Sequence, residues 1–155
     1  MEAYVLGLYP NILPSHEGWT YGMFEFDKHT DNMADLNYST KFVPGQYQVP
    51  QDETSNWNFD NIYQLNYFLS DVLPKLEQGI LTGDMDNIEY LIGEAYFLRA
   101  YEYFERYQKF GDFPIVTEPL KDDLAVLIEA CKREPRNEVA RFILSDLDKA
   151  IELMS

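Results

Sequence analysis

Residues 93–115 read GEAYFLRAYEYFERYQKFGDFPI, and their reading decides the fold. The stretch holds eight aromatic side chains between Tyr96 and Phe113, yet also Arg99, Arg106 and four acidic residues. On a helical wheel of about 100° per residue, Glu94, Glu105, Lys109, Glu102, Arg106 and Arg99 share one arc of roughly 140°. The other arc carries Ile92, Tyr103, Tyr96, Tyr107, Ala100, Gly93, Phe104, Phe97 and Tyr101. Gly93 and Ala100 stand near its middle with rings on both sides. Small residues flanked by large ones let a second helix approach closely, so the aromatics are expected to serve helix–helix packing.

Outward from this segment, helical spacing dominates. Residues 85–109 form the strongest predicted helix. Phe59, Ile62, Asn66, Leu69 and Leu73 predict another over 57–73, with Ser55 or Asn56 as N-cap and Pro74 as a kink or stop. Residues 2–9 suit a short helix stopped near Pro10, and residues 122–132 a further one. Pro135, at a first helical position, opens the last helix, which runs to about Met154. Residues 14–56 look irregular, with Pro14, Gly18, Gly22, Pro44, Gly45 and Pro50 and no sustained period. No alternation of period two persists, so the fold class is all-α with a long irregular loop region (14–56) and a helical scaffold (57–155).

Composition narrows the function. The 27 acidic against 12 basic residues give a net charge of −15, which disfavours phosphate-rich nucleic acid and anionic membrane surfaces. The single cysteine, Cys131, excludes an internal disulfide and a cysteine-based zinc site. No run approaches the roughly 18 apolar residues of a membrane span, and no signal peptide opens the chain. The chain begins in helical spacing (MEAYVLGLYP) and ends on an amphipathic helix (KAIELMS), so a fragment is expected.

Two charges sit against apolar rows. Arg99 lies at the edge of the aromatic arc, and Asp146 lies in the row Phe142–Asp146–Ala150. A charge on an apolar edge wants a partner, which makes the two a candidate inter-helix ion pair; the alternative is that each reaches solvent separately. Asn66 interrupts the apolar row of its helix and is expected to be a hydrogen-bonded structural amide. Catalytic readings find little. His16 and His29 lie in the irregular region without a nucleophile motif, and the carboxylate pairs Glu25–Asp27 and Asp31–Asp35 suit solvated or capping roles. No metal site is predicted. A calcium site from Asp31, Asn32, Asp35 and Asn37 would have suitable oxygen ligands, but its spacing is not that of an EF-hand.

Several separated motifs resemble one family in order and spacing. They are Trp57, the run Asn66 to Leu69, Gly93–Glu94, Phe97–Leu98–Arg99–Ala100, Phe110–Gly111, Pro114, Arg136 and Asp146–Leu147–Ala150. Together they resemble the SusD/RagB family, glycan-binding lipoproteins of the Gram-negative outer membrane. The step from Asn66 to Leu69 is one residue longer than the family pattern. The resemblance is close over 57–155 and weak over 1–56, where only the order and an acidic turn, Thr30–Asn32, agree. It implies tetratricopeptide-like helix pairs, and Ile92–Gly93–x–x–Tyr96 has the shape of such a repeat's first helix.

By resemblance, the protein would be non-catalytic and cofactor-free. It would be lipid-anchored at the cell surface and would pass oligosaccharides to a SusC-like TonB-dependent transporter. Residues 1–155 would be the incomplete N-terminal part of such a domain, since the chain lacks the lipidated cysteine and stops where the family continues. Sugar recognition wants exposed rings beside amides and carboxylates. Trp19, Tyr21, Asp31, Asn32, Asp35 and Tyr47 are the candidates, lying in the region without a helical core pattern. The alternative from another class is a helical adaptor that binds protein and no sugar.

Overall fold

The computed structural model describes residues 1–14, 32, 43–46 and 57–155. Met1–Ile12 and Asn58–Ser155 form one compact unit, and Leu13–Trp57 form another. In the first unit the elements are α1 (Glu2–Ile12), α2 (Asp60–Glu77), α3 (Met85–Phe110), α4 (Leu124–Ala130) and α5 (Arg136–Met154). The unit is all-α. Among the described residues the extended pairing is limited to one isolated antiparallel bridge, Phe113 with Glu134, which ties the start of the α3–α4 connection to the end of the α4–α5 connection.

Helix α3 is the hub. Its longest interface is with α5, and it also packs against α2 and α1. Gly111, at φ 72°, ends it by donating its N–H to the Tyr107 carbonyl at 3.0 Å. That left-handed conformation suits glycine, which has no Cβ to clash. The core is built from Ile62, Leu65, Ile92, Leu98, Tyr103 and Val139, all fully buried. Phe113 joins them from the connection after α3. It stacks on Phe59 (ring centroids 5.1 Å apart) and meets Tyr103 edge-on at 6.1 Å.

The predicted close crossing falls at the α3–α5 interface. A Cβ on Gly93 would stand 2.6 Å from Met154 Cγ, 3.2 Å from the Ala150 carbonyl oxygen and 3.2 Å from Leu153 Cβ. Glycine is therefore required by the approach of a neighbouring backbone, while its own φ is ordinary.

Neither proline ends its helix. Helix α1 runs through Pro10 to Ile12, and α2 runs through Pro74 to Glu77. In α1, continuing the helix places Ile12 in the core with Val5 and Leu8. Burying such a side chain contributes about 1.5–3 kcal/mol, comparable with the roughly 3 kcal/mol cost of an interior proline. In α2, Ser70 and Pro74 both lie on the exposed face, where water can take the freed Ser70 carbonyl. The pair Lys75–Asp71, at 2.7 Å, spans the same turn.

Helix starts also differ from the sequence expectation. Helix α2 begins at Asp60 rather than 57, with Phe59 at the N-cap and no side-chain cap; Ser55 and Asn56 lie outside the described residues. Helix α4 is shorter than 122–132, because Asp123 caps it by accepting from the Ala125 and Val126 N–H groups at 2.9 and 3.2 Å. Pro135 stands one position ahead of α5.

Candidate functional site

The charged arc of α3 is only partly solvated. Arg99, Glu102 and Arg106 are buried, while Phe97 and Phe104 from the aromatic arc are 38% and 45% exposed. Two polar clusters result.

The first is centred on Arg99. Its Nε donates to Asp146 Oδ2 at 2.7 Å and its Nη2 to Asp146 Oδ1 at 2.9 Å, a bidentate pair across α3 and α5. Its Nη1 donates to Asn66 Oδ1 at 2.9 Å, which brings in α2. The guanidinium also faces the rings of Tyr96 and Phe142, each 5.3 Å away. Asn66 in turn donates through Nδ2 to the Val116 carbonyl at 2.8 Å. The Tyr103 hydroxyl donates to that carbonyl at 3.1 Å and accepts from the Val116 N–H at 2.8 Å. Burial pushes the Tyr103 phenol up to about 12; its hydrogen bond to Val116 and the nearby Arg99 act the other way. One arginine thus joins α2, α3, α5 and the connection after α3. Its charge is paired with Asp146 and its neighbours are hydrogen-bonded, so the cluster holds the scaffold together.

The second cluster escaped the sequence reading. Arg106 pairs with Glu102 one turn back on α3. Its guanidinium also donates to the Asn58 carbonyl at 3.2 and 3.3 Å and to Asn58 Oδ1 at 3.0 Å. Glu102 Oε1 accepts from Asn61 Nδ2 at 2.9 Å. Arg106 thereby clasps the segment that leads into α2, in place of a side-chain cap. The available signal was an i,i+4 acid–base pair on α3 together with two asparagines, Asn58 and Asn61, at the start of the preceding helix.

A cavity of about 180 Å³ lies between α2, the 116–120 segment and α4. Phe59, Ile62, Tyr63, Leu120, Leu127 and Cys131 are among its lining residues. The lining is overwhelmingly apolar, and the amide of Asn66 on its floor is already engaged. Glu118 also lines it, and a sugar there would leave most of its hydroxyls unpaired, so the cavity suits an apolar group better than a glycan.

Of the residues expected to touch glycan, Asn32 is described and is exposed in a turn. Trp19, Tyr21, Asp31, Asp35 and Tyr47 lie outside the described residues, as does Asn37 of the calcium candidate. Among the described residues no three His, Cys, Asp or Glu side chains converge as a metal site. No described helix is long and apolar enough to cross a membrane.

The SusD-like family model, described as starch-binding and associating with the outer membrane, matches residues 2–155. Two proteins of Formosa agariphila are similar to the chain. SusD-like protein P38 is 31% identical over 131 residues, which cover 84% of this chain and 24% of that protein. SusD-like protein P2 is 34% identical over 74 residues, covering 48% of this chain and 14% of that protein. The chain spans a quarter or less of the length of these curated relatives. No solved structure matches it significantly. The helical scaffold tied by Arg99 and the family match along nearly the whole chain lead to one conclusion: this chain belongs to the SusD-like family.

Proposed function

We propose that the chain is the N-terminal part of a non-catalytic, lipid-anchored glycan-binding protein of the outer-membrane surface. It captures oligosaccharides and delivers them to a SusC-like TonB-dependent transporter. The observation that carries this reading is the family match over residues 2–155, with its description as starch-binding and associating with the outer membrane. The internal chemistry supports a binding scaffold. The buried charges of α3 are engaged within the scaffold: Arg99 by Asp146 and Asn66, and Arg106 by Glu102 and Asn58. In this reading Trp19, Tyr21 and Tyr47 supply ring faces, and Asp31, Asn32 and Asp35 bind sugar hydroxyls. No cofactor is needed.

The test is affinity electrophoresis and calorimetry of the native-length protein against neutral polysaccharides, together with co-purification of the transporter. Retardation by at least one polysaccharide and recovery of the transporter are the expected results. Recovery of the transporter with no polysaccharide binding would replace this reading with that of a helical adaptor.

A further inference from the structure

Along α2, Asp60, Tyr63, Gln64, Tyr67 and Asp71 recur at steps of one, three and four residues. At about 100° per residue they fall in one stripe roughly 100° wide. Ile62, Leu65, Phe68 and Leu69 carry the buried side of the same helix. The stripe faces outward: Tyr63 is 50% exposed and Tyr67 is 53% exposed. Helix α1 adds a third ring. The Tyr4 hydroxyl donates to the Gln64 carbonyl at 3.0 Å, its ring stacks on Phe68 at 5.7 Å, and the residue remains 38% exposed. Burial, and then the Tyr67 and Tyr63 phenols, hold the Tyr4 phenol above its ordinary value, in keeping with three hydroxyls grouped closely.

A solvated helix face ordinarily carries Lys, Glu or Gln, which are better helix formers than Tyr. Two tyrosines in its place, with Tyr4 of α1 beside them, make rigid, amphipathic contact area at low entropic cost. The rim matters as much as the rings. Asp60 offers a carboxylate acceptor, Asp71 a carboxylate whose two oxygens are held at 2.7 Å by Lys75, and Gln64 a side-chain amide on the same stripe. A pyranose has the complementary chemistry, with an apolar C–H face and a rim of hydroxyls. A polyanion does not, given the two carboxylates and a net charge of −15.

We propose that Tyr4, Tyr63 and Tyr67, rimmed by Asp60, Gln64 and Asp71, form a contact surface for a neutral oligosaccharide, separate from the candidates between residues 19 and 47. The inference rests on the glycan-binding reading above and assigns new residues to it.

The test uses the native-length protein in affinity gels containing amylopectin, laminarin, xylan or galactomannan. Tyr63→Ala/Tyr67→Ala is compared with Tyr63→Phe/Tyr67→Phe. For whichever polysaccharide retards the wild type, the alanine variant loses affinity by about tenfold or more, the scale of one good contact. The phenylalanine variant, which keeps the rings, stays within about threefold. Tyr63 also lines the apolar cavity, so Tyr67→Ala alone carries the test should the double variant fold poorly. Unchanged affinity in the alanine variants overturns the tyrosine surface and leaves the proposed function standing. Lost transporter binding with intact glycan binding also overturns it, in favour of a protein contact. A wild type retarded by none of the four polysaccharides overturns both.

Discussion

Arg99 and Asp146, 47 positions apart in the chain, close on each other in a bidentate pair that is almost wholly withdrawn from water, at 5% and 0% side-chain exposure. Removing one partner leaves the other as an uncompensated buried charge. Asp146→Leu is expected to destabilise the fold by about 3–5 kcal/mol, read from urea midpoints. Arg99→Met combined with Asp146→Leu should be more stable than the sum of the two single changes, because neither charge is then stranded. Additive losses would show that the two side chains contribute independently.

The α3–α5 crossing predicts intolerance to added volume. Ala100 is buried, and Gly93 faces the Ala150 carbonyl and Leu153. Ala100→Leu should overpack the helices and cost roughly 1–3 kcal/mol. Gly93→Val should cost at least as much, since the backbone of α5 must retreat. An unchanged denaturation midpoint in either variant contradicts the close crossing.

Tyr103 links stability to alkaline pH. Its phenol ionises near 10.0 in the unfolded chain and is held up to about 12 in the fold, mainly by burial. The disfavoured species in the fold is the phenolate. Its contribution is therefore complete below pH 10, where both states keep the proton, and is lost as pH rises from about 10 to about 12. The loss amounts to about 2–3 kcal/mol. Urea midpoints at pH 9, 10.5 and 12 should fall in that window. Tyr103→Phe should start lower, because Val116 loses a hydrogen-bonding partner, and should fall less steeply. Parallel slopes in the two proteins would assign the alkaline loss to other groups.

Helix α4 buries none of its residues, and Leu124, Val126 and Ile128 are exposed on it, with Leu144 and Ile151 exposed on α5. Apolar surface of this extent favours dye binding and association. The 155-residue chain alone is expected to enhance the fluorescence of a hydrophobic dye and to self-associate as concentration rises. Leu124→Lys with Ile128→Glu should reduce both, while shifting stability by no more than about 0.5 kcal/mol each. A dye-negative, monodisperse chain would show that these side chains do not make a continuous patch.

The sequence by itself determined the helices and their order. The period of 3.6 residues, Gly111 and Pro114 bounded α3 to within a residue, because periodicity and special backbone residues act locally. It also made Arg99, Asp146 and Asn66 conspicuous as polar groups on apolar rows. Tertiary structure decided the rest. A wheel places Glu102 and Arg106 on a charged arc but cannot tell whether that arc meets water or another polar surface; packing brings Asn58 and Asn61 against them. Pro10 read as a stop, and Pro74 as a kink or stop, because the local cost of a lost hydrogen bond is visible in sequence. The core position of Ile12 and the exposed position of Ser70, which offset that cost, are set by packing. That one guanidinium joins α2, α3, α5 and, through Asn66, the Val116 backbone is likewise beyond any local pattern. Burial of a charge is favourable only when its partners arrive together, and here they come from positions 33 and 47 residues away.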